Sequence, residues 1–598
     1  MHVARVCRYP VKGLGGEDLP RVHFSEAGIA FDRHFALAHD RVPLEPFGSW
    51  TTYEAFLALD GFPSLAGFSA RIEETSGEKR LELTSPDARR LTFPLSDDRR
   101  MCATSASDDQ SVNEWFGTHT HTARLVAAGT GLWDLADSPI SLINLASLNR
   151  VAESLGLREL DPRRFRANVY LDGLEPWEEF TLVGRTLRIG DAEVEIIRPI
   201  ERCRAITVDP DHPTNDINVL AALAANFGHS FCGLYARVVK TGSVGVGDPI
   251  TVTGAPLAAP DTDGSDAGRA ATPRMATVLT VAASANDIVS IELEDPTGHL
   301  LTARAGQHLR VHHPDTAAPA WRNYTLSRIG GRPRISVHRD PDGRVSPWLH
   351  EVKAGGALLI SGPFGDVTVT PDDPSPLLVI TAGIGITPAL AYAADLARTP
   401  RPATFLHVAR TTSGVAHLDE LVDACHRAGA RFELFLTGED APTHRRGRPD
   451  QDALAEIVSN PTATLAVLCG PSRFDRAMRE ALAAVGVPPD RIKSDPFYSP
   501  RTVDFTWREP PSRGPFQVRF EGSEAASGVW EGSGTLLDLA DNMGAGIRSS
   551  CRAGVCGSCL VKVRGEVAYV VDPLDDTPTG MAYACCAVPT TDLTVVSN

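Results

Sequence analysis

The sequence predicts a multidomain chain of mixed α/β and β architecture, and three observations lead there. The 598 residues correspond to roughly four domains at the usual size of about 150 residues. Short runs of alternating polarity, which suit half-buried strands, fill most of the chain. From about residue 372, by contrast, apolar strands alternate with Gly-rich turns and helical stretches, the pattern of a parallel sheet with crossover helices.

The divisions follow from composition. The stretch 253–273 is poor in large apolar residues and rich in Ala, Gly, Pro and Asp, and reads as a flexible linker. Four prolines within Tyr498-Ser-Pro-Arg and Arg508-Glu-Pro-Pro-Ser-Arg-Gly-Pro515 mark a second break. The predicted organisation is a β-rich domain over 1–252, a linker over 253–274, a β-barrel over 275–371, a doubly wound parallel-sheet domain over 372–497, a linker over 498–514 and a small β-rich domain over 515–598. In the first domain 181–189 and 192–198 read as strands and 146–155 as a helix. In the parallel-sheet domain 377–381, 404–409 and 465–469 read as buried strands.

Composition removes several functional classes. Hydrophobic residues at 42% and charged residues at 22% match a globular chain with material for several cores. The 58 Lys and Arg against 75 Asp and Glu, a net charge of −17, argue against nucleic-acid partners and anionic membranes. No window approaches the about 18 apolar residues of a membrane span, and Met1-His-Val-Ala-Arg-Val-Cys lacks a signal-peptide core, so a cytoplasmic protein is expected.

Eleven cysteines are unevenly spread, five of them (Cys551, Cys556, Cys559, Cys585 and Cys586) crowding the last domain. Cys551-Arg-Ala-Gly-Val-Cys556-Gly-Ser-Cys559 has C-x4-C-x2-C spacing, and Cys585 follows. Four thiolates at this interval suit the two irons of a plant-type [2Fe–2S] cluster better than zinc, which often starts from an x2 pair. Gly554 and Gly557 let the loop wrap tightly around the sulfurs. The segment resembles β-grasp ferredoxin domains; that resemblance makes Cys585 the fourth ligand and Cys586 its neighbour, although the doublet leaves the choice between them open.

In the barrel region, Trp321-Arg322-Asn323-Tyr324-Thr325-Leu-Ser327 contains R-x-Y-[ST], followed by His338 and by Gly343-Arg-Val-Ser346-Pro-Trp348. Arg322 can neutralise a flavin phosphate, Tyr324 and Thr325 can address the ring, and Ser346 begins a helix. After the 377–381 strand comes Gly383-Ile-Gly385-Ile-Thr387-Pro388, with Thr387 expected as N-cap and Pro388 at the first helical position, a setting for pyrophosphate. Cys469-Gly470-Pro471 ends a later strand. Together these motifs resemble the ferredoxin-NADP reductase superfamily, which implies that Ser327, His338 and Ser346 line the flavin and that Cys469, Gly470 and Pro471 lie beside the nicotinamide. A reductase followed by a ferredoxin is the order of phthalate dioxygenase reductase-like proteins. The Gly-x-Val-Ser-x-Trp variant favours FAD over FMN. Arg410, with Arg448, could meet a 2′-phosphate, and both NADH and NADPH stay open.

In the first domain Tyr9-Pro-Val-Lys12-Gly13, Asp32-Arg33, Arg164-Phe-Arg166-Ala-Asn168, Trp177-Glu-Glu179, Arg202-Cys203-Arg-Ala-Ile-Thr207-Val-Asp209-Pro and Val246-Gly-Asp-Pro249 occur in order. They resemble the MOSC family, in particular the mitochondrial amidoxime reducing component and its bacterial relatives. The resemblance implies that Cys203 ligates the molybdenum of a molybdopterin cofactor, as suits a soft thiolate. It further implies that Lys12, Arg33 and Arg166 hold the pterin phosphate and that Asn168 addresses its ring. Where relatives often have Ser after the lysine, Gly13 removes one hydroxyl contact. Asp209 reads as structural, and no side-chain acid stands out as proton donor.

Taken together, the resemblances imply an NAD(P)H-dependent molybdenum oxidoreductase. Electrons would pass from NAD(P)H to flavin, to the [2Fe–2S] cluster and to molybdenum, within one chain or between the chains of a dimer, to reduce a small N-hydroxylated or N-oxide substrate. Two alternatives are a flavin and iron–sulfur reductase feeding an external oxygenase, and a MOSC sulfur carrier using a persulfide on Cys203.

Overall fold

The computed structural model describes residues 1–39, 56–95, 111–112, 114–116, 123–127, 131–253, 272–314, 320–365, 367–369, 373–398, 401–440, 444–494, 504–522, 526–549, 552–555, 557–574 and 577–596. The expected linker 253–274 lies outside these residues except at its ends. Residues cluster into two compact units, Met1–Asp261 with Arg501–Asn598, and Thr262–Pro500.

In the first unit eight strands form a mixed sheet in the order Ile250–Thr253, Thr186–Ile189, Ala192–Glu201, Phe231–Lys240, Ile140–Asn144, Val169–Asp172, His2–Arg8 and Glu17–Asp18. Ile140–Asn144 and Val169–Asp172 run parallel, and parallel neighbours need a crossover. The helix Leu145–Ser154 begins that crossover; Asn144 caps it by accepting from the Ala146 N–H at 3.1 Å, and Leu148, Val151 and Ala152 face the core. It starts one residue before the predicted 146, because the cap stands at Asn144. The run predicted as one strand over 181–189 splits: Glu178–Leu182 is a 3-10 turn and only Thr186–Ile189 is strand. The cause is Glu179, which is fully buried and held by the Asn144 amide at 2.9 Å and the Ser147 hydroxyl at 2.8 Å. Three further strands, Ser69–Thr75, Glu78–Thr84 and Arg90–Leu95, form a separate meander over a core of Val11, Leu14, Phe35 and Leu83.

At the C-terminal end, the strands Ala526–Trp530, Phe516–Glu521, Leu593–Val596, Leu560–Arg564 and Met581–Tyr583 make a five-stranded sheet. Phe516–Glu521 and Leu593–Val596 pair in parallel, the central feature of a β-grasp arrangement. The helix Leu536–Met543 lays Leu536, Leu537 and Ala540 into the core beside Val518, Phe520 and Trp530. Each of these buried Leu, Val and Phe side chains contributes about 1.5–3 kcal/mol. A capping box between Thr535 and Asp538 starts this helix.

The second unit contains a closed six-stranded barrel in the order Arg274–Ala285, Ile288–Glu294, Arg334–His338, Trp321–Arg328, His308–His312 and Ala357–Phe364. Alongside it lies an all-parallel sheet in the order Arg445–Arg446, Arg431–Leu436, Ala403–Ala409, Leu377–Ala382, Leu465–Cys469 and Ile492–Ser494. One core covers each face, which is why Leu465–Cys469 is buried at every position. Strand order reverses between Leu377–Ala382 and Leu465–Cys469, and this switch point is where doubly wound sheets leave a crevice for ligand. Among the described residues no helix is long and apolar enough to cross a membrane.

Candidate redox centres

The strand Ala192–Glu201 ends directly before Arg202 and Cys203, and Cys203 is the extended residue that caps the short turn Arg204–Thr207. Cys203 is open to solvent, yet the surrounding protein desolvates its sulfur and, with Asp60 and Asp134, pushes the thiol up to about 12. Metals take such a group as thiolate in place of its proton. Arg202 lies against the Phe165 ring and donates to the carbonyls of Cys232 at 2.7 Å and Phe165 at 3.0 Å. Its Nη2 is buried without a hydrogen-bond partner among the described residues, leaving a cationic donor next to the cysteine.

The three basic residues singled out in the sequence come together. Arg33 and Arg166 stand 4.8 and 4.6 Å from the Tyr9 ring centre, and Lys12 is buried, donating to Asp134 at 2.5 Å and the Leu132 carbonyl at 2.9 Å. Arg33 pairs with Asp32 at 2.6 Å. Arg166 donates to the Leu14 carbonyl at 2.6 Å but has no ion-pair partner among the described residues. Desolvation and the like charge of Arg33 push Arg166 down to about 10. Both arginines take left-handed backbone, with φ of 47° and 52°, an uncommon conformation for residues other than glycine. A crowded cationic group short of one carboxylate fits an anion such as a pterin phosphate. Asp134 pairs with Lys12 and lies within electrostatic range of Arg33, Arg166 and Cys203.

Asn168 is engaged inside the protein. Its oxygen accepts from Ser141 N at 3.1 Å and Oγ at 2.9 Å and from Arg33 at 3.4 Å, and its nitrogen donates to the Cys7 carbonyl at 3.3 Å. It therefore holds Arg33 and ties strands together. Asp209 accepts from the amides of Asp211 at 2.8 Å and His212 at 3.1 Å, shaping a turn.

In the C-terminal domain Cys551 and Cys556 lie outside the described residues. Cys559 and Cys585 are buried with their sulfurs 3.2 Å apart, and the Gly554 N–H donates to Cys585 at 3.2 Å. Cys586 lies 3.6 Å from Cys585. Gly554 has φ +72°, and a Cβ there would stand 2.6 Å from the Cys586 sulfur, so only glycine lets this loop close.

In the barrel, Arg322 is half-buried, donates to the Trp321 carbonyl at 2.8 Å, and has no ion-pair partner among the described residues, as suits a phosphate-binding cation. Burial pushes the neighbouring Tyr324 phenol up. Thr325 pairs across the sheet with His308. Ser327 is buried in a serine network with Arg334 and Ser336 at 3.0 and 3.2 Å, His338 is the exposed end of its strand, and the Ser346 hydroxyl accepts from the Asp340 N–H at 3.0 Å. Ser346 is the second residue of the short helix Val345–Leu349.

At the switch point, Gly383–Gly385 is a 3-10 turn leading into the helix Ile386–Leu396, whose cap is Gly385. Thr387 and Pro388 are thus its second and third residues, a correction to the expected cap and first position. Thr387 instead bonds back to the Ile384 carbonyl at 3.1 Å. A Cβ on Gly385 would stand 2.3 Å from the Cys469 carbonyl oxygen, so the two loops touch backbone to backbone. Cys469 is buried, and Pro471 caps the helix Ser472–Ala484. Arg410 and Arg448 are exposed.

Arg202, Asp134, Arg204 and Asn218 were not singled out as site residues in the sequence. Arg202 and Arg204 flank Cys203 and could have been marked by adjacency alone; the others carry no local signal.

Comparison with known proteins follows the same order along the chain. Residues 1–122 match the MOSC N-terminal beta barrel domain and 95–251 the MOSC domain. Residues 277–369 match the oxidoreductase FAD-binding domain, 379–480 the oxidoreductase NAD-binding domain, and 520–590 the 2Fe-2S iron-sulfur cluster binding domain. The ferredoxin reductase component of 3-ketosteroid-9-alpha-monooxygenase from Mycobacterium tuberculosis is 30% identical over 272 residues, 43% of this chain and 74% of that protein. The stachydrine N-demethylase reductase subunit of Rhizobium meliloti is 28% identical over 323 residues, 51% of this chain and 91% of that protein. A Pseudomonas putida flavohemoprotein is 34% identical over 207 residues; the match takes in 34% of this chain and 52%, about half, of that protein. Phthalate dioxygenase reductase is similar in structure at TM-score 0.34 and 25% identity, over 54% of this chain and 98% of that one. The matched flavin domain is an FAD-binding one, and FMN finds no support. FAD, NAD(P)H and a [2Fe–2S] cluster are thus the cofactors of an oxidoreductase that moves electrons from nicotinamide through flavin to iron–sulfur. The chain belongs to the ferredoxin-NADP reductase-type flavin and iron–sulfur oxidoreductases, here carried behind an N-terminal MOSC domain.

Proposed function

We propose that this oxidoreductase is self-contained: a cytoplasmic, NAD(P)H-dependent molybdenum enzyme that reduces N-hydroxylated or N-oxide compounds. The observation that carries the reading is the solvent-open Cys203 beside the convergent Lys12, Arg33 and Arg166, with Arg166 lacking a carboxylate among the described residues. For an N-hydroxy compound the balance is one N–OH group plus two electrons and two protons, giving N–H and one water. NAD(P)H supplies both electrons and one proton, and solvent supplies the other.

When bound, the molybdenum cofactor would supply a metal able to take an oxygen atom from nitrogen. The chain's residues do the rest. Cys203 gives a thiolate ligand that is itself open to solvent at the cap of a largely buried turn, so substrate can reach it. Lys12, Arg33 and Arg166 anchor the phosphate, Asp134 and Asn168 hold two of those cations in place, and Arg202 adds positive charge within electrostatic range of the sulfur. In the iron–sulfur domain Cys551, Cys556, Cys559 and Cys585 are the ligands; the Gly554 N–H on the Cys585 sulfur supports Cys585 over Cys586.

The test is molybdenum content and NADH-dependent benzamidoxime reduction in wild type, Cys203→Ala and Arg166→Ala. Cys203→Ala should keep NADH oxidation with an artificial acceptor and lose N-reduction, and Arg166→Ala should lose molybdenum. N-reduction by Cys203→Ala, or wild type that never carries molybdenum, sinks the proposal. The second reading, a reductase for an external oxygenase, draws support from the two relatives named as reductase components of a monooxygenase and a demethylase. It predicts no N-reduction by any of the three proteins. A persulfide on Cys203 without molybdenum would instead favour a sulfur carrier.

A further inference from the structure

Within the first unit the iron–sulfur domain and the MOSC domain share a buried polar seam. Arg204, the residue after Cys203, is 1% exposed, and its guanidinium donates to Asp538 Oδ1 at 2.7 Å and Oδ2 at 3.3 Å. Asp538 is no free surface carboxylate: it also accepts from Thr535 N and Oγ1 at 2.8 Å each, closing the capping box of its helix. The Trp507 ring lies 5.4 Å from the Arg204 guanidinium. Removing either partner would leave a buried charge uncompensated.

Two further contacts flank the pair. Asn218, fully buried, donates to the Ala553 carbonyl at 3.0 Å, inside the loop between Cys551 and Cys556. Residues 216–218 and 505–507 pair like a short strand, with Asn218 N–H on Phe505 O at 2.8 Å and Trp507 N–H on Asp216 O at 3.1 Å. Arg164 ties that seam to the Cys203 loop, donating to Asp216 Oδ1 at 2.9 Å and to the Val208 carbonyl at 3.0 Å. Arg508 ties it to the other side through its N–H on Val570 O at 2.7 Å.

The seam also contains a continuous bonded path. From Cys203 it runs through one peptide bond to Arg204, across the ion pair to Asp538, and along the chain to Leu537. The Leu537 N–H donates to Ala584 O at 3.0 Å, and Ala584 precedes Cys585.

We propose that the Arg204–Asp538 pair locks the ferredoxin domain onto the MOSC domain and forms, with Leu537 and Ala584, the electron route from the cluster to Cys203. Arg204 is a positioning residue. Each N–O bond broken would need two electrons, which a [2Fe–2S] cluster held by the four cysteines would supply one at a time. The route rests on the molybdenum reading above; the lock does not.

The experiment uses full-length wild type, Arg204→Glu, Asp538→Arg and the double exchange. Hydrogen exchange is followed at 216–218 and 505–507, with the strand Phe231–Lys240 and the cluster absorption as checks of folding. In parallel, protein prereduced with NADH is mixed with benzamidoxime and cluster reoxidation is timed. Single variants should exchange about a hundredfold faster at the seam and reoxidise more slowly, while the double exchange restores both. Asp538→Asn, which keeps an oxygen for Thr535, is the milder variant should charge reversal prevent folding, and it should open the seam as well. Seam amides that exchange freely in wild type, or stay protected in the single variants, overturn the lock. Reoxidation unaffected by an open seam overturns the route. Protected, pair-dependent seam amides in a wild type without N-reduction would uphold the lock and overturn the catalytic reading.

Discussion

Burial pushes the Glu179 carboxyl from 4.5 up to about 7, against the pull of the Asn144 and Ser147 hydrogen bonds. The sign of the pH effect follows from linkage. Below about 4.5 the group is protonated in folded and unfolded chains alike. Between about 4.5 and 7 the unfolded chain loses the proton while the folded one keeps it, so stability falls as pH rises. Above about 7 both are ionised and the whole penalty, about 3 kcal/mol, is present. Glu179→Gln stays neutral and keeps an oxygen for the same donors. Relative to wild type it should gain about 3 kcal/mol between pH 4.5 and 8. The assay is hydrogen exchange of the adjacent helix Leu145–Ser154 in the full chain, corrected for intrinsic rate, because a multidomain chain does not unfold in one step. Parallel pH profiles for the two proteins, within about 0.5 kcal/mol, would refute the argument that this carboxyl is desolvated.

Three other outcomes follow from the same geometry. Gly554→Ala places a Cβ 2.6 Å from the Cys586 sulfur at φ +72°, and the protein should lose its [2Fe–2S] absorption while retaining FAD. Gly385→Ala drives a Cβ to 2.3 Å from the Cys469 carbonyl, so flavin reduction by NAD(P)H in stopped flow should slow with FAD content unchanged. Asp295 is buried against Arg274 at 2.8 Å, and despite desolvation Arg274 holds its carboxyl down at about 2. Asp295→Ala should destabilise the barrel by about 3–5 kcal/mol, and the wild-type contribution, present above pH 3.8, should fade as pH falls through about 2, read by hydrogen exchange of the Arg274–Ala285 strand.

Signals carried by neighbouring residues were legible without a structure. The C-x4-C-x2-C spacing, the strand-to-turn pattern before Gly383 and the Arg-Cys motif at 202–203 each lie within a few residues of chain, so they can be read locally, while the cofactor expected at Cys203 came from the family resemblance. The helix predicted over 146–155 needed a shift of one residue, and the N-cap expected at Thr387 belongs to Gly385, because a 3-10 turn precedes the helix and advances its start. The strand expected over 181–189 failed at its first half because a buried carboxylate, Glu179, answers to Asn144 and Ser147 and not to local polarity.

What the sequence by itself determined is the order of modules, which the family matches along the chain reproduce. Only the tertiary structure decided that Lys12, Arg33 and Arg166 converge, that Asn168 serves Arg33 and the strands around it, and that Arg204 meets Asp538 across 334 residues. The reason is physical. A ligand spacing is a property of the local backbone, whereas a buried ion pair exists only where folding brings two distant charges together out of water.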